Sequence, residues 1–257
     1  AVAHPPHWRA GAPRATFCFP ARVGSNPETE WTMSMLSRLD DAVEFAENPE
    51  PRCPCVLLLD TSGSMQGDPL EAMIEGLETF RFDLAVDPLA ARRVEVAVVT
   101  FDSYVRVVQD FAPPDQWEVP PLAAQGQTHM GAAILKALEL LEERKAAYRA
   151  YDIGYYRPWI FLVTDGEPQG EPRHLVDEAT RRLREAEAAK RVAFFAVGVE
   201  NANLQRLAQI ATRTPLRLRG LNFREMFVWL SRSMQGIAHS RPGDEIALPP
   251  PSGWAEL

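Results

Sequence analysis

Short apolar runs alternate with longer amphipathic stretches over most of the chain. The short runs are aliphatic and bounded by polar or turn residues, which is typical of buried strands. The longer stretches repeat apolar positions every three or four residues, which is typical of helices that cover a core. The pattern predicts strands at 55–60, 94–101, 104–108, 159–164, 192–199 and 215–218, and helices at 34–46, 68–84, 130–146, 172–190, 203–211 and 222–238.

This alternation of strands and helices predicts a doubly wound α/β fold, with a mostly parallel central sheet and helices on both faces. The turn at Asp102-Ser103 joins two strands directly, so we expect one antiparallel hairpin strand at the sheet edge. Asp68-Pro69 predicts a helix start, with Asp68 as the N-cap and Pro69 in the first helical position.

The two ends of the chain lack this periodicity. We interpret residues 1–32 as a disordered extension or an over-called start, because they carry several Pro and Gly residues, no periodic apolar pattern and no apolar region like that of a secretory signal. A disordered functional tail is the alternative for this segment. Residues 33–54 are expected to form a helix and linker, 55–240 the main domain, and 241–257 a Pro-rich tail.

Composition narrows the possible functions. The 257 residues are 46% hydrophobic and 24% charged, which fits a soluble globular protein. A net charge of −8 without a basic stripe argues against a nucleic-acid partner, and no apolar run is long enough to predict a membrane span. Cys18, Cys53 and Cys55 have no disulfide spacing, so we expect a reducing, cytoplasmic location.

The most informative motif follows the first predicted strand of the main domain. Asp60, Ser62 and Ser64 place one carboxylate and two hydroxyls at alternate positions, where open α/β sheets position their ligands. Oxygen ligands without nitrogen or sulfur suit a hard divalent cation such as Mg²⁺ or Mn²⁺. The motif therefore predicts a metal site at the end of the sheet.

Two further loops offer oxygen atoms on the same predicted rim. Thr128 precedes a helix, and Asp165 follows the strand at 159–164. Neighbouring parallel strands end close together, so these residues can converge with Asp60 on one ion. Each motif by itself is also ordinary turn chemistry, and Thr128 can serve simply as a helix N-cap. Only their combination favours a metal site with a vacant position for a partner's carboxylate.

These three motifs resemble the metal-ion-dependent adhesion site of von Willebrand factor A domains, over roughly residues 53–238. The resemblance implies that Ser62, Ser64 and Thr128 bind the ion directly, while Asp60 and Asp165 act through water. It also implies a binding module without chemistry of its own, which recognises an Asp or Glu carboxylate on a protein partner.

Within that family, the sequence is similar to bacterial TerY-like proteins of the tellurite-resistance group. The similar segments are 165–168, 193–198, 222–230 and the Pro-rich end beginning at Leu248. This resemblance implies a stress-response setting with kinase or phosphatase partners. Gln127 and His129 flank Thr128 where relatives are often glycine-rich, which is a departure that could alter ligand preference.

Two other functions compete with the binding module. A metal-dependent phosphohydrolase could use Asp60 as its nucleophile, but Ser62 stands where such enzymes carry a second Asp as general acid. A subunit that works beside a separate AAA ATPase is also compatible with the sequence. No phosphate-binding loop or dinucleotide fingerprint occurs in the chain.

Overall fold

The computed structural model describes residues 42–200 and 202–256. The predicted extension at 1–32 and most of the predicted helix at 34–46 lie outside these residues, although 42–47 are helical. The strands are β1 (Cys53–Asp60), β2 (Val94–Phe101), β3 (Val105–Ala112), β4 (Trp159–Thr164), β5 (Ala193–Gly198), β6 (Leu216–Leu218) and β7 (Ala255–Glu256). The helices are α1 (Asp68–Val86), α2 (Ala90–Arg93), α3 (Met130–Ala150), α4 (Arg173–Ala188), α5 (Leu204–Ile210) and α6 (Phe223–Ala238).

These strands form one sheet in the order β3-β2-β1-β4-β5-β6-β7. The five central strands are parallel, whereas β3 and β7 pair antiparallel at the two edges. The predicted doubly wound α/β fold and its hairpin strand at the edge are therefore confirmed.

Alternation along β1 explains why helices cover both faces of the sheet. Leu57 and Leu59 belong to the core beneath α1 and α6, while Val56 and Leu58 belong to the core beneath α3, α4 and α5. A central parallel strand that is buried on both faces must be apolar at every position, which is the pattern in the sequence. Asp60 ends this strand at the rim of the sheet.

The α1 and α6 helices pack closely because α1 has a glycine at their contact. A β-carbon at Gly76 would lie 2.5 Å from the Phe227 side chain and 3.2 Å from the backbone of Phe223. A larger residue at position 76 would therefore push the two helices apart.

Two local predictions are wrong. Asp68 is the first residue of α1 rather than its N-cap, since Gly67 occupies the N-cap with a φ of 86°. The second hairpin strand continues to Ala112 rather than ending at 108, because β3 keeps pairing with β2 through two register irregularities. Both differences concern where an element ends, which local sequence determines weakly.

The C-terminal segment contributes a strand that its sequence did not predict. Arg217 and Leu218 of β6 pair with Glu256 and Ala255 of β7. Trp254 is buried, with its ring centre 5.4 Å from that of Trp229. The Trp229 indole also donates a hydrogen bond of 2.7 Å to the carbonyl of Pro249, so the Pro-rich tail is packed onto the domain.

A buried ionic network lies at the amino end of β1 and β2. Glu95 is fully buried and accepts hydrogen bonds from Arg52 Nε at 2.6 Å and Arg144 Nε at 2.8 Å. The hydroxyl of Tyr148 also donates to this carboxylate. Two cationic side chains thus surround a buried anion at this end of the sheet.

No helix within the described ranges is both long enough and apolar enough to span a bilayer.

Candidate metal site at the carboxyl end of the sheet

Three loops meet at the carboxyl end of β1 and β4. The two strands are parallel neighbours, with Leu59 paired to Val163, so Asp60 and Thr164 end side by side. The third loop precedes α3 and contains Thr128. The sheet topology therefore brings together residues that are about a hundred positions apart in the chain.

Asp60 is completely buried, and both of its carboxylate oxygens are engaged. Oδ1 accepts a 2.8 Å hydrogen bond from the backbone N–H of Ser62, and Oδ2 accepts one from the hydroxyl of Thr164. Burial raises the pKa of Asp60 to about 6, because the ionised form loses its hydration, although these hydrogen bonds partly offset the rise. The carboxylate is thus fixed in orientation and poorly compensated in charge.

Ser62 and Ser64 lie beside this carboxylate, on the loop that includes the short 3₁₀ turn Gly63–Met65. Their hydroxyl oxygens are 3.2 Å apart, and the Ser64 hydroxyl donates to Asp165 Oδ1 at 3.0 Å. Burial also raises the pKa of the Asp165 carboxyl. The two serines therefore lie between the two aspartates.

Thr128 approaches from the loop opposite. It is buried, and a β-carbon placed on Gly166 would lie 3.4 Å from Thr128 Oγ1 and 4.0 Å from Asp60 Oδ2. The absence of a side chain at Gly166 therefore leaves room between the threonine hydroxyl and the carboxylate. All five predicted residues converge on this end of the sheet.

The start of α3 bears on the alternative interpretation of Thr128 as a helix cap. His129, rather than Thr128, is the N-cap, and its side chain makes no capping bond. Glu171 supplies the missing acceptor, because its two carboxylate oxygens accept from the backbone N–H groups of Gly131 at 2.7 Å and Ala132 at 3.0 Å. Thr128 is therefore not the N-cap of this helix.

Several residues that shape the site were missed by sequence reasoning. Thr164 bonds to Asp60, and Glu171 holds the start of α3, but both contacts depend on long-range pairing. The carbonyl of Gly126 accepts from the N–H of Gly63 at 3.1 Å, which joins the serine loop to the segment before Thr128. In the sequence, only the position of Thr164 directly before Asp165 indicated that one of these residues could lie at the site.

The donor set fits a small, hard divalent cation. It comprises three hydroxyls and two carboxylates, and no Lys, Arg or His of the described residues forms an ion pair with Asp60 or Asp165. No group of three or more His, Cys, Asp and Glu side chains suited to a metal occurs in the described ranges, so the hydroxyl oxygens must supply part of the ligand set. Oxygen-only ligands favour Mg²⁺ or Mn²⁺ over softer metals.

Solved structures share this fold at low sequence identity. A von Willebrand factor type A protein from Catenulispora acidiphila is 20% identical with a TM-score of 0.58, over 72% of this chain and 43% of that chain. The vWF domain of the type V pili tip protein Mfa5 from Porphyromonas gingivalis is 12% identical with a TM-score of 0.56, over 77% and 99% of the two chains. The PilB minor pilin from Streptococcus sanguinis is 13% identical with a TM-score of 0.55, over 72% and 62%.

A search of curated protein sequences returns no match. The family description "von Willebrand factor type A domain" matches residues 55–225, which is more than half of the chain and includes all five residues of the site. The protein therefore belongs to the von Willebrand factor type A domain family.

Proposed function

We propose that the protein is a divalent-metal-dependent protein-binding module. Ser62, Ser64 and Thr128 would hold Mg²⁺ or Mn²⁺ directly, with Asp60 and Asp165 in support. The bound ion would supply the positive charge that attracts an Asp or Glu carboxylate of a protein partner. Membership of the von Willebrand factor type A family supports this proposal, because domains of this family are often metal-dependent interaction modules.

One observation carries the proposal. Asp60 is fully buried and receives hydrogen bonds from two neutral donors, the Ser62 N–H and the Thr164 hydroxyl, rather than from a cationic side chain. A buried carboxylate without a counter-charge is costly, so such a group either takes up a proton or acquires a cation. The hydroxyls of the neighbouring serines and threonine are suitable ligands for that cation.

The contacts of Asp60 also favour binding over hydrolysis. A carboxylate nucleophile must present a free oxygen to its substrate. Both oxygens of Asp60 are engaged inside the protein, and the side chain is inaccessible to solvent. We therefore propose that the protein has no catalytic activity. Hydrolysis of a generic phosphate ester by the wild type that is lost when Asp60 is replaced would contradict this proposal.

The cellular setting is part of the proposal and rests on the TerY-like segments in the sequence. We infer a cytoplasmic module of a bacterial stress-response or tellurite-resistance-like system, with kinase or phosphatase components as partners. Cys53 and Cys55 are buried free thiols, which is compatible with a reducing compartment. A separate AAA ATPase is the alternative partner.

The test is metal-dependent stabilisation of the purified protein. A ligand that binds only the folded state stabilises it by about 2.7 kcal/mol when present at 100 times its Kd. We expect Mg²⁺ and Mn²⁺ to raise the melting temperature of the wild type and of the control Asp115→Ala, which changes an exposed loop acid. Asp60→Ala should lose the rise, and an equal response in all three proteins would contradict the proposed site.

A further inference from the structure

A small cavity lies directly beside the proposed metal site. Its volume is about 220 Å³, and Thr61, the residue between Asp60 and Ser62, forms part of its wall. Gln125 also lines the cavity and donates its backbone N–H to the Thr61 carbonyl at 2.8 Å. The cavity and the serine loop are therefore parts of one hydrogen-bonded unit.

Half of the residues that line the cavity are aliphatic, and the cavity is too small for most organic ligands. Val108, Leu122 and Ala123 contribute to its walls. Pockets for drug-sized molecules typically measure about 300–1,000 Å³. The space available suits one aliphatic side chain, such as that of Leu, Ile or Val, from a bound polypeptide.

Arg106 borders the cavity and is already held in place. Its Nη1 donates to Asp102 Oδ2 at 2.7 Å, and its guanidinium carbon lies 5.1 Å from the ring centre of Tyr104. Asp102 is buried and is itself fixed by the backbone N–H of Tyr104, which donates to Oδ1 at 2.7 Å. The orientation of the arginine is thus set before any partner arrives.

Part of this guanidinium remains available to a partner. The Arg106 side chain is 42% exposed, and Tyr104 beneath it is 67% exposed. Asp102 is the one hydrogen-bond acceptor of Arg106 among the described residues, and it uses one amino group of the fork. The remaining N–H groups suit a carboxylate, which guanidinium groups bind in a paired geometry.

From this arrangement we infer that the partner is an extended segment with two acidic residues and an apolar residue between them. The inference rests on the proposed function, since the first carboxylate is the one directed to the metal ion. The apolar side chain then enters the cavity beside Thr61, and the second carboxylate binds Arg106. Because Arg106 is already oriented, the second contact adds affinity with little further loss of conformational freedom.

Charge and shape both support this occupant. The chain carries a net charge of −8, so an acidic segment needs local positive positions in order to bind at all. The metal ion beside Thr61 and the guanidinium of Arg106 would provide two such positions at the cavity. A segment with a single acidic residue would leave the cavity and the arginine unused.

The test uses random linear peptides displayed on phage and selected on the full chain in MgCl₂, with elution by EDTA. We expect the eluted peptides to share two acidic residues with an aliphatic residue between them. Affinity of the strongest peptide, made synthetically, should fall at least tenfold in Ala123→Trp, which fills the cavity, and in Arg106→Gln. Ala123→Ser keeps the cavity open and should bind as the wild type does.

The outcomes separate this inference from the proposed function. The melting-temperature rise with Mg²⁺ should persist in Ala123→Trp and Arg106→Gln, which shows that both are folded and retain the metal site. Selected peptides that share a single acidic residue, and that bind both variants as tightly as the wild type, would overturn the two-point contact and leave the metal-dependent module standing. Selection of no EDTA-eluted peptide would contradict both proposals.

Discussion

A carboxylate is buried at each end of β1, but only one of the two is paired with cationic side chains. At the amino end, Glu95 is fully buried between the guanidinium groups of Arg52 and Arg144. At the carboxyl end, Asp60 is equally buried, yet it receives hydrogen bonds from neutral groups, the Ser62 N–H and the Thr164 hydroxyl. The carboxylate at the amino end is thus paired with two arginines, whereas no Lys, Arg or His of the described residues forms an ion pair with Asp60.

This difference is the reason why we propose a ligand site at one end of the strand and not at the other. A buried anion is tolerated when a cation and further hydrogen bonds accompany it. The amino end satisfies that requirement within the chain, through Arg52 and Arg144. At the carboxyl end no Lys, Arg or His of the described residues pairs with Asp60, which is why we propose the metal site there.

The largest expected effect comes from breaking the amino-end network. Glu95→Ala would leave Arg52 and Arg144 without their shared buried partner. Removing one partner of a buried ion pair typically costs about 3–5 kcal/mol, because the remaining charge is uncompensated. Urea unfolding should show this loss of free energy equally in Mg²⁺ and in EDTA, and a loss confined to one condition would contradict the separation of the two ends.

In the absence of metal, neutralising Asp60 should increase the free energy of unfolding, which is the opposite of the effect of Glu95→Ala. Burial raises the pKa of Asp60 to about 6, above its ordinary value of 3.8, so the folded state loses stability as the pH rises from about 3.8 to about 6, and the loss is complete above that pH. At about 1.36 kcal/mol per pKa unit, Asp60→Asn should be more stable than the wild type by at most about 3 kcal/mol at pH 7.5 in EDTA. The same substitution should weaken metal binding.

The pH dependence of this advantage is specific. As the pH falls from 7 through 6 toward 4, the wild-type carboxyl takes up its proton in the folded state, and the advantage of Asp60→Asn should shrink. Unfolding curves in EDTA at several pH values measure the difference. An advantage that stays constant over this range would show that Asp60 is not the group responsible.

The smallest effect is expected where the metal site is supported indirectly. Glu171→Ala removes the acceptor for the first N–H groups of α3, which typically costs about 1 kcal/mol of stability. Because Thr128 precedes this helix, we also expect weaker Mg²⁺ binding, measured by calorimetry. Glu118→Ala, at an exposed loop residue, is the control, and unchanged Mg²⁺ affinity in Glu171→Ala would show that Thr128 is held by its other contacts.

Sequence patterns were sufficient for most of the sheet because its strands are sharply bounded. The strands at 94–101 and 159–164 were predicted with the bounds that the structure shows, since each is a largely apolar run flanked by polar or turn residues. The two-residue strand β7 was missed because it pairs through the backbone and is too short for a periodic pattern. The residue of the tail that could have indicated this packing is Trp254, whose ring lies against that of Trp229 in α6.

The residues of the candidate site could be predicted from the sequence, but the contacts between them could not. Asp60, Ser62 and Ser64 follow one strand, and strand-end reasoning placed Thr128 and Asp165 on the same rim. The bond from Thr164 to Asp60 requires the register of β1 against β4, which no local pattern encodes. That the five residues bind a metal ion stays a prediction.

Anomalous X-ray scattering at the manganese edge tests the central claim most directly, using crystals of the protein grown with MnCl₂. We expect one strong peak about 2.1 Å from the hydroxyl oxygens of Ser62, Ser64 and Thr128, with Asp60 and Asp165 around it. Crystals of Asp60→Ala grown in the same way should lack that peak. A wild-type crystal with manganese elsewhere, or with none at this end of the sheet, would contradict the claim that a cation from solution balances the buried carboxylate of Asp60.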